Sequence, residues 1–309
     1  MKRSVSIVVP VYKSGPTLEL LYKRVKAVAD EMTDSWELIL VDDASGDGTF
    51  DYMRKLHERD PRVRLVRFAT NMGQPQATLC GLQRVRNEVV FTLDDDLQNP
   101  PEEMPRLLKK LEDGYDLVIG RLESKAHSPW RNFGSWAVHS LASRITGKPK
   151  HIAMSSQRCM TRKAADSIAS YSGANPYLTA LIFSSVPVER IVNLDVSHSE
   201  RLSGKSTYTL GKLVKLTSFL LINHSRLPLR FVAYWGLLLS ILSLCYTIWI
   251  IIGALLFGST VAGWPSLAVL VTFLSGNIFL CIGILGEYIG RILQENNHTK
   301  QFPIFDEYG

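Results

Sequence analysis

Between Phe231 and Ile289 the chain carries one formally charged side chain, Glu287, and no other feature limits its fold so strongly. A turn rich in breakers, Gly258-Ser259-Thr260-Val261-Ala262-Gly263-Trp264-Pro265, divides this stretch. The runs at about 231–257 and 266–289 each exceed the roughly 20 residues needed to cross a bilayer core of about 30 Å. A buried helical hairpin in a soluble protein is the weaker alternative. Lys212, Lys215, Arg226 and Arg230 precede the first run, Arg291 and Lys300 follow the second, and the turn between them is uncharged. The positive-inside rule then places both termini in the cytoplasm. After Met1-Lys2-Arg3 comes a strand-like run that reaches Pro10, too short an apolar region for a signal peptide.

Charge divides the rest. Residues 1–120 hold 17 Lys/Arg and 20 Asp/Glu, whereas residues 121–230 hold 16 and 5, so the net +6 conceals a strongly basic segment just before the apolar stretch. Beside two spans such a segment meets anionic headgroups or a lipid phosphate better than it meets nucleic acid, which is not expected as a partner. Hydrophobic residues at 46% exclude a disordered chain. The four cysteines show no paired spacing, so neither disulfides nor zinc are indicated. The expected organisation is residues 1–120 and 121–230 as two parts of a cytoplasmic domain, a membrane hairpin over 231–290, and a cytoplasmic tail over 291–309.

In the first 120 residues short β-branched runs alternate with helical patterns, which predicts βαβ units and a mainly parallel sheet in an α/β fold. Strands are expected at Val5–Val9, Glu37–Val41, Val63–Phe68, Val89–Leu93 and Asp116–Ile119. Leu18, Leu21, Tyr22, Val25, Ala29 and Met32 recur at helical spacing, with Thr17 as the expected cap. Further helices are expected near Thr49–Glu58, Gln76–Arg84 and Glu102–Glu112.

Open α/β sheets bind ligands at the carboxyl ends of their strands. There the sequence places Pro10-Val11-Tyr12-Lys13, then Asp42-Asp43, then Asp94-Asp95-Asp96-Leu97-Gln98. Carboxylates this close disfavour joint ionisation unless a cation joins them. On extended backbone Asp94 and Asp96 would project to one side, where Mg²⁺ or Mn²⁺ could bridge them to a diphosphate. An acidic turn capping the next helix is the bland alternative. No Walker loop and no Gly-x-Gly-x-x-Gly follows the first strand.

The segments Ser6-Ile-Val-Val-Pro-Val-Tyr12, Val41-Asp-Asp-Ala-Ser-Gly-Asp-Gly-Thr49, Asn71-Met-Gly-Gln74 and Leu93-Asp-Asp-Asp-Leu-Gln-Asn-Pro-Pro-Glu-Glu103 resemble the ordered motifs of family-2 inverting glycosyltransferases with the GT-A fold. The likeness is strongest to the polyprenyl-phosphate glycosyltransferases, which include dolichol-phosphate mannose synthase and bacterial undecaprenyl-phosphate glucose, GlcNAc and aminoarabinose transferases with two C-terminal spans. Leu285-Gly-Glu-Tyr-Ile-Gly-Arg291 is similar to the close of their second span.

The resemblance implies a site, residue by residue. Pro10, Tyr12, Asp42 and Asp43 match nucleoside-holding positions, and Asp94, Asp96 and Gln98 match the metal and diphosphate site, with Asp94 and Asp96 as the catalytic pair. Arg121, Arg131 and Ser135 fall where the family holds the lipid phosphate. Arg201-Leu-Ser-Gly-Lys-Ser-Thr-Tyr208, with Lys205 and Ser206, resembles its Arg-x-x-Gly-x-Ser-Lys-Tyr element. Two positions depart from the pattern: Thr207 replaces a lysine, and Ser156 replaces an aspartate. The implied activity is metal-dependent, inverting transfer of a sugar from a nucleotide donor, UDP-linked by analogy, to undecaprenyl phosphate. The implied place is the cytoplasmic face of the bacterial inner membrane, and the implied assembly is a homo-oligomer such as a tetramer. A non-catalytic scaffold would have no use for Asp94, Asp96 and Gln98 together. A processive polysaccharide synthase would need more spans and a Gln-x-x-Arg-Trp element that is absent.

Overall fold

The computed structural model describes residues 3–122, 148–149, 151–173, 176–197, 263–296 and 301–309, with scattered positions between 232 and 256. Two compact units result. One comprises residues 1–208 and 299–309, the other residues 209–298.

The first unit opens with β1 (Val5–Val11), α1 (Gly15–Met32), β2 (Trp36–Asp42), α2 (Thr49–Arg59), β3 (Val63–Phe68), α3 (Gln74–Leu82) and β4 (Val89–Thr92). A 3₁₀ turn at Pro101–Glu103 leads into α4 (Met104–Glu112), followed by β5 (Leu117–Leu122), β6 (Arg158–Thr161), α5 (Arg162–Ala169), α6 (Leu178–Ser185) and β7 (Ile191–Val196). After the second unit the chain returns as β8 (Ile304–Tyr308).

The eight strands form one sheet in the order β7-β5-β6-β4-β1-β2-β3-β8. Pairings β1–β2, β1–β4, β2–β3 and β5–β7 are parallel, as the alternating pattern predicts. Pairings β4–β6, β5–β6 and β3–β8 are antiparallel. Every residue of β1 and β2 is buried, because helices cover both faces of a crossover-connected sheet and leave no wet side. One core layer, with Ile7, Leu38, Phe91 and Leu107, lies on one face; the other, with Val8, Ile39, Val66 and Leu79, lies on the opposite face.

Two expectations need correction, and three strands are additional. Helix α1 begins at Gly15 with Ser14 in the capping position, so Thr17 is inside the helix. Its hydroxyl donates to the Ser14 carbonyl at 2.9 Å and to the Asp95 carbonyl at 3.2 Å. Strand β4 stops at Thr92, and Asp94–Gln98 is a turn rather than extended chain. Strands β6, β7 and β8 went unread, since four residues, a mixed polar run and a segment beyond the apolar stretch each lack a periodic signal of their own.

In the second unit, α7 (Trp264–Asn296) runs for 33 residues. Taken over the described residues alone, no helix is long and apolar enough to cross a membrane. Most of the run 231–257 lies outside the described residues. The Trp235 indole donates to Asn277 of α7 at 2.9 Å.

Helix α3 sits so close to β1 that a methyl group on Gly81 would run into Val8 Cγ1. Gly81→Ala is therefore expected to cost about 1–3 kcal/mol through overpacking, despite alanine's better helix propensity. Urea melts of the two proteins check this, and an unchanged or raised midpoint would contradict it.

Candidate active site

The loops after β1, β2, β3 and β4 converge on a cavity of about 770 Å³ whose walls include Pro10, Tyr12, Asp43, Gln74, Asp94, Asp95, Asp96 and Gln98. This is the carboxyl edge of the parallel strands, where such sheets bind ligands. A second cavity of about 490 Å³ shares Pro10, Gln74 and Asp94 with the first. Ser155, Ser156, Arg158 and Tyr177 belong to the second only. Asp94 thus stands between the two.

Neutral donors hold each buried acid. Asp94 accepts from Gln74 Nε2 at 2.7 Å, from Asn99 Nδ2 at 2.8 Å and from the Ser156 hydroxyl. Asp95 points elsewhere: its carboxylate accepts from the Tyr12 backbone N–H at 3.0 Å and from the Ser14 hydroxyl, which ties the loop after β1 to the loop after β4. Asp96 accepts from the Gln98 backbone N–H at 3.1 Å. The turn that presents these groups includes Leu97 at φ +60°.

Asp43 accepts from the backbone N–H groups of Met72 and Gly73 at 2.6 and 2.8 Å, while its carbonyl accepts from Asn71 Nδ2 at 3.1 Å. One residue thereby pins the whole Asn71–Gln74 loop. Asp42 is fully buried and lines neither cavity. It accepts from the Ser45 backbone N–H and hydroxyl, and its Oδ2, with no hydrogen-bond partner, lies 3.6 Å from Arg67 Nε.

Burial raises the pKa of Asp42, Asp43, Asp94 and Asp95 above the ordinary carboxylate value. At Asp94 the nearby charges of Asp96 and Asp95 add to that rise, while Ser156 and Arg158 oppose it. Burial lowers Arg158 to about 10.

The expected nucleoside and metal positions Pro10, Tyr12, Asp43, Asp94, Asp96 and Gln98 share one cavity. Asp42 lies beneath it. Arg121 lines neither cavity and forms a two-point ion pair with Asp195 at 2.6 and 2.9 Å. Arg131, Ser135, Arg201, Lys205 and Ser206 lie outside the described residues. Among the described residues no group of three or more His, Cys, Asp or Glu side chains is placed to hold a metal ion. Sequence reasoning missed the work of Asp95, Gln74, Asn99 and Arg158. Gln74 stands within a recognised motif and Asp95 within the acidic triplet, but their partners come from other loops.

A mainly parallel sheet with polar loops at its carboxyl edge defines an α/β fold that places a ligand site there, and comparison with known proteins names the family. Residues 6–169 match the family model "Glycosyl transferase family 2", and the chain belongs to that family. It is 31% identical to the uncharacterized glycosyltransferase YkcC of Bacillus subtilis, over 98% of this chain and 94% of that one. It is 35% identical to the undecaprenyl-phosphate 4-deoxy-4-formamido-L-arabinose transferase of Edwardsiella ictaluri, over 94% and 90%. Among solved structures, glucosyl-3-phosphoglycerate synthase of Mycobacterium tuberculosis with Mn²⁺, UDP-glucose and phosphoglyceric acid shares the fold. It has a TM-score of 0.53 and 17% identity over 71% of this chain and 78% of that one. The chain is thus a glycosyltransferase.

The Asp43 contacts give a testable pH signature. Its unfolded carboxyl ionises near 3.8, while the folded one holds its proton to higher pH, so its contribution makes stability fall as pH rises through that interval. Asp43→Asn removes the titration and leaves an amide facing two backbone N–H groups. The variant is expected to lose about 1.5–3 kcal/mol at pH 7. Its stability should also fall less steeply with rising pH just above 3.8, which urea melts over that range would reveal.

Proposed function

We propose that this protein transfers a sugar from a uridine diphosphate donor to undecaprenyl phosphate, with inversion, at the cytoplasmic face of a bacterial membrane. One observation carries the reading: the Asp94–Gln98 turn faces a nucleotide-sized cavity built by four strand-end loops. Its context is a chain whose relatives, over nearly full length, include named undecaprenyl-phosphate sugar transferases. Tyr12, Pro10 and Asp43 fit the wall that receives the nucleoside, with Asp42 bracing the loop from beneath.

The donor set fits a divalent cation such as Mg²⁺ or Mn²⁺. Burial and mutual repulsion raise Asp94, and burial raises Asp95, so this edge holds more negative charge than its neutral donors offset. Asp94, Asp96 and Gln98 would hold the ion. Bound there, it would supply charge neutralisation for the departing diphosphate. The rest falls to the chain's own residues. The acceptor is a phosphate monoester, whose second pKa near 6 leaves it largely dianionic at pH 7. The protein need not remove a proton; it must hold donor and acceptor in line and keep water out.

The apolar stretch would bring this site to its lipid. The described side chains of Leu267, Val271, Ile278, Ile282, Leu285, Ile289 and Ile292 on α7 are each at least 42% exposed, an aliphatic surface that a bilayer would cover. The membrane hairpin at about 231–257 and 266–289, both termini in the cytoplasm, is part of this proposal and rests on the sequence. So does the assignment of Arg121, Arg131, Ser135, Arg201, Lys205 and Ser206 to the acceptor phosphate. Assembly as a homo-oligomer, a tetramer by family likeness, belongs to the same reading.

Full-length protein in membranes, given labelled UDP-sugars and undecaprenyl phosphate, is expected to form a chloroform-soluble glycolipid only when Mg²⁺ or Mn²⁺ is present. Asp96→Asn should lower that rate about 100-fold or more with an unchanged melting temperature. Normal turnover by the variant would remove Asp96 from the site, and glycolipid formation in excess EDTA would remove the cation.

A further inference from the structure

Asp94 Oδ2 belongs to a closed ring of hydrogen bonds. Asn99 Nδ2 donates one hydrogen to that oxygen at 2.8 Å and the other to Ser156 Oγ at 3.0 Å. The Ser156 hydroxyl, accepting from Asn99, gives its single hydrogen to the same Asp94 oxygen. A carboxylate oxygen accepts about two hydrogen bonds, so Oδ2 is filled from within the protein. Oδ1 is not. Among the described residues it accepts from Gln74 Nε2 at 2.7 Å, which leaves about one acceptor position.

The ring is anchored from both sides. Thr92, at the end of β4, donates its hydroxyl to the Ser156 carbonyl at 2.6 Å. Gln157 is fully buried and donates from Nε2 to the Pro100 carbonyl at 3.0 Å, which ties the residue after Ser156 to the residue after Asn99. Ser156 also lines the second cavity. Its one hydrogen is already committed to Asp94, however, so it has none to donate to an occupant of that cavity. An alcohol suits this position, because a carboxylate at 156 would have no hydrogen to give and would repel Asp94.

Building on the cation reading above, we propose that Ser156 is a positioning residue for the metal. With Asn99 it commits Asp94 Oδ2 to the protein and leaves Oδ1 as the single oxygen that Asp94 offers to the ion. Groups that hydrogen-bond a ligating carboxylate set its orientation, and through it the affinity of the site.

The test uses the purified full-length chain in lipid nanodiscs, with Mn²⁺ and UDP as probes, for the wild type, Ser156→Ala and Ser156→Thr. Electron paramagnetic resonance of free Mn²⁺ measures metal binding in the presence of UDP against a protein-free control, and calorimetry measures UDP binding in EDTA. Ser156→Ala is expected to raise the Mn²⁺ dissociation constant about 10-fold or more. Ser156→Thr, which keeps the hydroxyl, should restore most of the affinity, and UDP binding in EDTA should be alike in all three proteins. Unchanged Mn²⁺ affinity in Ser156→Ala overturns the proposal. A parallel loss of UDP binding in EDTA overturns it too, because Ser156 would then hold the nucleotide or the fold as a whole. A crystal structure of the wild type with Mn²⁺ and UDP is expected to show Oδ1 on the ion, and Oδ2 in that place sinks the proposal whether or not the variants fold. A wild type that binds no Mn²⁺ beside UDP overturns the cation reading itself, and the proposal with it.

Discussion

Four aspartates on the carboxyl edge of a sheet closed on both faces set the terms for everything around them. Asp42, Asp43, Asp94 and Asp95 all lose solvation there, and burial raises the pKa of each. Such groups persist only if something donates to them. The donors come from different loops: Ser45 for Asp42, Met72 and Gly73 for Asp43, Gln74, Asn99 and Ser156 for Asp94, Tyr12 and Ser14 for Asp95. Satisfying the acids therefore stitches four loops into one wall. The backbone bears part of the cost. Lys13, Ala44 and Leu97 are the non-glycine residues at positive φ among those described, and they lie in the loops after β1, β2 and β4. Strain of about 1–3 kcal/mol per such residue persists only where the surroundings over-determine it, as they do here.

The opposite edge of the same sheet shows what a finished charge network looks like. Ser6 and the Arg86 backbone N–H donate to Glu37 at 2.6 and 2.7 Å, and Arg64 closes the set with an opposite charge. Nothing there asks for a ligand. At the carboxyl edge the acids rest mainly on neutral donors, and Arg158 in the second cavity adds an attraction to Asp94. One edge answers its charges within the protein and so contributes to stability and register. The other gathers buried carboxylates held mainly by neutral donors, with Asp94 lining both cavities and the buried Arg158 beside it in the second.

Much of the central sheet was legible because burial on both faces turns β1 through β3 into nearly continuous apolar runs, and because the helices after β1 and β2 bury one stripe each. The residues lining the first cavity were legible for the same reason, since strand ends locate them. The division of labour inside Asp94-Asp95-Asp96 was not. Alternation on an extended strand would aim Asp94 and Asp96 together, but the strand ends two residues earlier. The turn through Leu97 then sends Asp94 toward Ser156 and Asp95 toward Ser14. Ser156 and Arg158 were equally hard to read, because β6 reaches β4 antiparallel from more than 50 residues away. A pairing that distant leaves no periodic trace in sequence, yet it places Arg158 opposite Thr92 and delivers the second cavity.

The return of the chain as β8 is the least legible feature and has the widest consequence for how the two units are joined. Residues 304–308 read as part of a tail, yet they pair antiparallel with β3 and cover an edge that would otherwise expose unpaired backbone groups. The seal is apolar as well as hydrogen-bonded: Phe302 stacks on Phe68 at 5.8 Å, and Tyr308 packs against Phe50 and His57. The second unit, residues 209–298, is consequently an insertion in the sheet domain rather than an appendage to it. Closure entropy rises only with the logarithm of loop length, so an insertion of this size costs the domain little once β8 is in place. The converse is that the sheet domain is not the segment preceding residue 209. A chain cut there would keep the aspartates and their loops but leave β3 bare and Phe68 uncovered. The sheet unit is therefore continuous in space and discontinuous in sequence.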